Sequence, residues 1–90
     1  MTYNIKLTVL KQEGHCTAGH KIGDEVVISF EKNEIKGKIC LHALYSVLPK
    51  IYAMAYGAEF PWLEDPVVST HACPDAWNPL VYEVRRLKKD

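Results

Sequence analysis

The sequence predicts one α+β domain, a small antiparallel sheet of about four strands with two short helices packed on one face. Three observations lead to this fold class. Apolar and polar residues alternate near both ends of the chain, which indicates strands. Between them, apolar residues recur at steps of three and four, which indicates helix. The chain has 90 residues, of which 48% are hydrophobic and 24% charged, as in a single globular domain spanning residues 1–90.

The first two predicted strands lie in the N-terminal third of the chain. Residues Tyr3 to Lys11 alternate with a period of two, which is typical of a half-buried strand. Residues Glu13 to Asp24 contain three glycines among polar residues and predict an ordered loop. The loop ends in Gly23-Asp24, a turn signal, and the Val- and Ile-rich segment Glu25 to Phe30 after it predicts the second strand.

The central segment has a helical pattern that contains a proline. Pro49 would cost an unbroken helix about 3 kcal/mol, because proline lacks an N–H and its ring clashes with the preceding turn. We therefore expect two short helices, Ile39 to Val47 and Pro49 to Tyr56, with Gly57 as the C-terminal stop. The apolar residues that define the pattern are Leu41, Leu44, Tyr45, Leu48, Ile51, Tyr52 and Ala55.

The last two predicted strands follow a loop rich in proline and aromatic residues. Val67 to Ala72 predicts the third strand and Leu80 to Leu87 the fourth. Between them, Cys73 to Pro79 contains two prolines and predicts a turn. The order along the chain is then ββααββ.

Charge and composition exclude several classes of protein. Eleven Lys plus Arg balance eleven Asp plus Glu, and this zero net charge argues against a protein that binds nucleic acid or an anionic membrane. No apolar run approaches the ~18 residues of a membrane span, and the first residues lack the pattern of a signal peptide. Three cysteines are an odd number, which does not suit a closed disulfide framework. These observations predict a cytoplasmic protein.

Cysteine and histidine positions are the most informative chemical feature of the sequence. All four histidines lie within four residues of a cysteine. Thiolate and imidazole are the ligands that zinc and some other transition metals prefer. Cys40 and His42 would lie about 200° apart on a helix and could not share one centre. The preferred ligand set is therefore Cys16, His20, Cys40 and Cys73, drawn from three separate segments without any CxxC motif.

Other interpretations of the cysteines remain open. Three scattered cysteines are also compatible with plain buried residues, since free cysteine is among the most buried residue types. A third interpretation makes one of them a reactive thiol, with His20 or His71 as the base. Cys40, near a helix start, and Cys73, before a proline, are both suitable positions. No orienting acid is marked by its spacing.

Tryptophans in the two proline-bearing loops suggest a different kind of site. Trp62 and Trp77, with Asp75 beside the second, are the candidate residues of a pocket or interface. In that case the protein would be an interaction module that binds a partner enzyme. Exposed strand edges would also allow two copies to pair as a homo-oligomer.

Over a set of motifs that includes Cys16, His20, Cys40 and Cys73, the sequence resembles a family of short, functionally uncharacterised prokaryotic proteins that are frequent in anaerobic bacteria and archaea. The resemblance covers nearly the whole chain. It implies no activity, but the family motifs include the four residues of the preferred ligand set. The family's first motif begins Cys-Pro-Ala-Gly-His, and here Thr17 replaces the proline. The motifs are Cys16 to Asp24 (CxxGHxxGD), Cys40, Gly57 to Trp62 (GxEFPW), Asp65-Pro66, Cys73 to Pro79 (CPDxxNP) and the strand ending Glu83 to Arg86.

The function that the sequence favours is a small metal-binding module with a zinc-like Cys/His site. The site would lie where the Cys16 to Asp24 loop, the start of the first helix and the Cys73 turn meet. The alternatives are a thiol-dependent enzyme or redox protein acting on a small molecule, and a protein-interaction module whose cysteines are only structural. The sequence does not identify a substrate.

Overall fold

The structure is a computed structural model that describes residues 2–14, 19–74 and 77–89. The described residues form five strands and one helix in the order βββαββ. The strands are β1 (Tyr3–Gln12), β2 (Glu25–Ser29), β3 (Glu34–Lys36), β4 (Val68–Ala72) and β5 (Leu80–Lys89), and the helix is α1 (Leu41–Ala55).

The predicted fold of four strands and two helices in the order ββααββ is wrong. The additional strand is β3, which has only three residues and pairs with β2 in the register Ile28↔Ile35. All three of its residues are exposed, so neither face of β3 is buried. The alternation of buried apolar and exposed polar residues that marks a strand in a sequence is therefore missing. The stretch Glu31 to Lys38, in which β3 lies, is rich in charged residues, a composition more typical of a connection than of a strand.

The prediction of two helices is wrong because α1 continues through Pro49. A proline at this position deprives the Tyr45 carbonyl of its intrahelical partner. Both residues are exposed, so this carbonyl lies on the solvent side of the helix and water can satisfy it. On the opposite side Val47 and Ile51 are fully buried, each worth about 2 kcal/mol. This burial on both sides of the proline offsets its cost.

The sheet has the strand order β3-β2-β1-β5-β4, and all neighbours are antiparallel. Its centre is the pair β1 and β5, in the register Leu7↔Val84. One face of the sheet packs against α1 and forms the core. The buried apolar residues are Ile5, Leu7, Val9, Val26, Ile28, Ala43, Val47, Ile51, Met54, Ala55, Leu80, Tyr82 and Val84.

Arg86 connects the C-terminal end of α1 to the sheet through hydrogen bonds. It lies opposite Ile5 in the β1–β5 pair, and its side chain is only 8% exposed. Its guanidinium donates hydrogen bonds to the carbonyls of Ala58 (3.2 Å) and Met54 (3.5 Å). The same group lies 4.6 Å from the centre of the Tyr3 ring. A cation is thus held at the C-terminal end of the helix, where the partial negative charge of the helix dipole favours it.

The direction of α1 is set by two contacts with β4. Lys50 Nζ donates to the Thr70 carbonyl at 2.7 Å, and Ser46 Oγ lies 2.9 Å from His71 Nε2. Ser46 is nearer the N-terminus of α1 than Lys50, and its partner His71 is nearer the C-terminal end of β4 than Thr70. The N-terminus of α1 is therefore directed towards the C-terminal end of β4. The start of the helix consequently lies at the end of the sheet where β4 leads into β5.

Candidate functional site

The N-terminus of α1 is where described candidate residues come into contact. His20, which lies in the loop between β1 and β2, is only 6% exposed. Its Nε2 accepts a hydrogen bond from the backbone N–H of Cys40 at 3.1 Å. The structure therefore brings together two of the predicted site residues that are twenty positions apart.

The loop that carries His20 is fixed to β1 by backbone hydrogen bonds. Gly23 N–H donates to the Val9 carbonyl at 2.8 Å, and Val9 N–H donates to the Asp24 carbonyl at 2.9 Å. The Asp24 carboxylate closes the turn by accepting from Lys21 N–H at 2.9 Å. His20 is thus presented from an ordered turn at the end of the sheet.

Burial keeps the His20 imidazole neutral. Burial lowers its pKa from the ordinary 6.5, and the nearby positive charge of Lys38 acts in the same direction against the opposing effect of Asp24. The ring meets Tyr82 edge to face, with centroids 6.0 Å apart. Because Nε2 accepts a hydrogen bond, the proton of the neutral ring lies on Nδ1. His20 therefore serves as an acceptor that holds the start of α1.

Cys40 is the N-cap residue of α1. Its backbone is extended, with φ −61° and ψ 131°, and its carbonyl accepts the first helical hydrogen bond from Leu44 N–H at 2.9 Å. Its side chain makes no capping hydrogen bond. The thiol is half-buried against the core, at the end of the helix that carries partial positive charge.

Cys73 lies at the same end of the molecule. It follows β4 directly, donates its backbone N–H to the Leu80 carbonyl at 2.8 Å and is half-buried against the core. From Ser46 to Cys40 the helix rises about 9 Å, and from His71 to Cys73 the chain extends about 7 Å in the same direction. Both thiols therefore lie beyond the contact between Ser46 and His71. Cys16 lies outside the described residues.

Metal ligation by the preferred set stays a prediction. Among residues 2–14, 19–74 and 77–89, no group of three or more His, Cys, Asp or Glu side chains is arranged to hold a metal ion. Ligation through Nε2 of His20 would also break its hydrogen bond to Cys40 N–H. Ligation through Nδ1 would require that nitrogen to lose its proton.

The remaining histidines are placed differently from His20. His71 faces α1, and since the Ser46 hydroxyl donates to the Ala43 carbonyl at 2.9 Å, His71 Nε2–H donates to Ser46. Burial and the charge of Lys50 lower the pKa of His71. His42 is exposed on α1, and His15 lies outside the described part of the chain.

The two tryptophans stand in different loops. Trp62 is 73% exposed and stacks on Phe60 with centroids 5.0 Å apart, in the connection that leads from α1 to β4. Trp77 is 90% exposed and lies in the connection that leaves β4. Asp75 lies outside the described residues. A pocket formed by these three residues stays a prediction.

The sequence pattern did not reveal that the apolar residues of α1 divide between two faces. Ile51 and Ala55 are buried, whereas a second line of apolar residues, here called the outer stripe, faces solvent. The i, i+3, i+4 pattern alone cannot show where one face ends and the other begins. The outer stripe consists of Leu41, Tyr45, Leu48, Tyr52 and Tyr56.

Comparison of this chain with family models, with curated proteins and with solved structures finds no match. The family resemblance of the sequence motifs accordingly stays a prediction. Within the described residues, no helix combines the length and the apolar character needed to cross a membrane. A function must therefore be inferred from the geometry of the chain itself.

Proposed function

We propose that this chain is a thiol-dependent protein in which Cys40 is the reactive group, acting on a small molecule. One observation carries the proposal: the backbone N–H of Cys40 is bound to the buried imidazole of His20 at 3.1 Å. This hydrogen bond fixes the backbone from which the half-buried thiol projects.

Cys40 is favoured over Cys73 by its position in the helix. The N-cap lies at the end of the helix where the dipole carries partial positive charge. Cys73 follows a strand, where no comparable dipole exists. Both thiols are half-buried, so exposure does not distinguish them.

The chemistry would be nucleophilic attack by the thiolate. On an electrophilic carbon it would form a C–S bond while the leaving group departs with its electron pair, and on a disulfide it would form a mixed disulfide while the S–S bond breaks and the second sulfur leaves as a thiolate. His20 is a positioning residue in this proposal, because its Nε2 is engaged with the Cys40 backbone. The proton of the thiol leaves to solvent from the half-exposed side of the site.

A metal centre is the second candidate, favoured by a specific observation. His20, Cys40 and Cys73 all lie at the end of the molecule where α1 begins, and Cys16 is only four residues before His20. A Cys3His centre of this kind would be a structural zinc site if all four positions were filled by protein.

Elemental analysis and thiol alkylation on the same anaerobic sample separate the two candidates. The protein is purified without a metal-affinity tag, and the rate of modification by iodoacetamide is assigned to each cysteine by mass spectrometry. We expect metal-free protein in which Cys40 is modified fastest.

Two variants complete this experiment. Cys40→Ser should remove the fast phase of alkylation, and the matched change Cys73→Ser should leave it in place. Near-stoichiometric zinc with three slow thiols would contradict the thiol proposal and support the metal centre. Uniformly slow thiols without metal would contradict both.

A further inference from the structure

The side of α1 that faces solvent is apolar, whereas a helix on the surface of a monomer is expected to be polar there. The polar residues of α1 recur at steps of four: His42, Ser46 and Lys50. Ser46 and Lys50 are turned towards β4 by their contacts with His71 and the Thr70 carbonyl. The line facing solvent is the apolar outer stripe.

The outer stripe is strongly exposed and has the spacing of a helix–helix interface. Leu41 is 80% exposed and Tyr45 is 78% exposed, and the other members lie between 37% and 64%. The first four members follow one another at steps of four, three and four, the repeat by which two helices pack side chains into each other's gaps.

Two of its aromatic members, Tyr52 and Tyr56, make ring contacts. Tyr52 meets Phe30 edge to face at 5.3 Å, and Tyr56 lies over Tyr52 at 5.1 Å. Side chains that are ordered in advance lose less conformational entropy when a partner binds. The C-terminal half of the outer stripe is therefore a preformed surface.

A groove extends the outer stripe towards the β2–β3 hairpin. It has a volume of about 220 Å³. Its lining is mostly apolar, with the polar residues Ser29 and Asn33 and the charged residue Glu34 on the hairpin side; the apolar residues are Ile28, Phe30, Ile35, Leu44 and Leu48. Taking about 200 Å² for a fully exposed side chain, the outer stripe alone presents roughly 600 Å². This is at the upper end for the largest apolar patch of a monomer, about 300–600 Å², and is about three quarters of the roughly 800 Å² that each partner contributes to a standard interface.

We propose that the outer stripe and the adjoining groove form the interface of a homodimer, in which the α1 helices of two copies pack face to face across a two-fold axis. A two-fold axis requires a patch that complements itself. Along the outer stripe no like charges would face each other across such an axis, because the outer stripe has no charged residue and the one Lys of α1, Lys50, is turned towards β4. Glu34 lies in the adjoining groove, on the hairpin side. A partner of strong charge would find no counter-charge on the outer stripe.

Sedimentation velocity of the full chain at concentrations from about 1 μM to about 100 μM tests the dimer. We expect the mass to rise from 10.2 kDa to twice that value over this range. Tyr45→Glu should weaken dimerisation at least about tenfold, since it places a charge in a desolvated contact.

Two further variants distinguish loss of the interface from loss of the fold. Leu41→Glu introduces a carboxylate in the first turn of α1, where the helix dipole favours it, so the fold is retained while the outer stripe is broken. Trp62→Glu is the matched control, since it changes an aromatic residue of similar exposure outside the outer stripe and should leave the dimer intact. Helix content is checked by circular dichroism.

The proposal is overturned by a wild-type mass of 10.2 kDa at all concentrations. It is also overturned if folded Tyr45→Glu and Leu41→Glu dimerise as the wild type does, or if Trp62→Glu alone abolishes the dimer. None of these results depends on the chemistry of Cys40.

Discussion

Ser46 Oγ lies 2.9 Å from Nε2 of His71, and this contact ties the helix to the edge strand β4. Four residues further along α1, Lys50 Nζ reaches the Thr70 carbonyl at 2.7 Å. Burial and the Lys50 charge both lower the pKa of His71, so the folded protein holds this ring neutral.

Acid should therefore destabilise the fold through His71. The pKa of this ring is lowered in the folded state, so the unfolded chain takes up the proton first as the pH falls below about 6.5. The free energy of unfolding is then at its full value above that pH and decreases below it. Urea unfolding between about pH 8 and about pH 5 measures this slope.

The variant His71→Gln identifies the contribution of His71 within the acid slope. Its amide N–H can still donate to Ser46 but does not titrate in this range. We expect a shallower decrease than in the wild type, with the remainder due to His20, whose pKa is lowered as well. An identical slope in the two proteins would contradict the assignment to His71.

A substitution of His20 should preserve the stability of the fold only if the new side chain can accept the hydrogen bond from Cys40 N–H. In His20→Leu the N–H of Cys40 loses its partner, and we expect a loss of about 1–3 kcal/mol in the free energy of unfolding. In His20→Gln the side-chain carbonyl can accept the same bond, and we expect a smaller loss. Denaturant unfolding measures both variants at about pH 8, where histidine is neutral.

The same pair of variants bears on the thiol. If His20 positions Cys40, the rate at which iodoacetamide modifies Cys40 should change in His20→Leu and return towards the wild-type rate in His20→Gln. Equal rates in all three proteins would show that the hydrogen bond stabilises the fold without influencing Cys40.

Arg86 should be sensitive even to a change that keeps its charge. Nη1 of Arg86 donates to the Met54 and Ala58 carbonyls, while Nη2 lies 3.6 Å from the Glu59 carboxylate. The single ammonium of lysine cannot occupy both nitrogen positions, so Arg86→Lys should cost about 1–3 kcal/mol. The neighbouring Arg85 points to the other face and pairs with Glu83 at 2.8 Å. Arg85→Lys should cost less than about 1 kcal/mol in the same thermal and urea unfolding experiments.

If Arg86→Lys and Arg85→Lys lowered the free energy of unfolding by similar amounts, the contact of Arg86 with the end of α1 would contribute little to stability. Helix content should be recorded as well, because weakening the contact of Arg86 releases the last turn of α1 rather than the sheet.

Gly37 should tolerate no side chain, because of both its backbone and its surroundings. Its φ of +111° disfavours any L residue, and a Cβ would lie 2.7 Å from the Glu25 carbonyl oxygen. Gly23 has a φ of +93° but no atom within 4 Å of the same position. Gly37→Ala should therefore be the more destabilising of the two alanine variants, by about 1–3 kcal/mol.

Unfolding curves of the two glycine variants separate backbone strain from steric clash. Equal destabilisation would show that the hairpin shifts to make room at Gly37. The loss at Gly23 alone gives the cost of the positive φ.

Local pattern was sufficient to predict four of the five strands, because one face of each is buried. β4, for example, occupies Val68–Ala72 where Val67 to Ala72 had been predicted. Local pattern was insufficient for β3, because none of its residues is buried. It was also insufficient for the helix, because burial in the tertiary structure offsets the free-energy cost of Pro49 and the sequence alone does not show that burial. The number of strands, the number of helices and their order were consequently wrong.

The candidate site was predicted less completely than the strands. Residue chemistry singled out His20 and Cys40, but their hydrogen bond joins two segments twenty residues apart, and no local periodicity contains that information. The outer stripe was visible as part of a helical pattern. Its exposure depends on which side of α1 the sheet occupies, which is a property of the tertiary structure.

The pairing of β1 with β5 has a consequence for the order of events during synthesis. β1 leaves the ribosome before the other four strands, whereas its register with the last strand, β5, runs from Tyr3↔Lys89 to Gln12↔Leu80. The β1–β2–β3 hairpins can form early from local contacts, but the middle of the sheet is closed only after β5 has emerged. A nascent chain that lacks β5 presents β1 as an open strand edge with Ile5 and Leu7 uncovered, the kind of surface that chaperones shield.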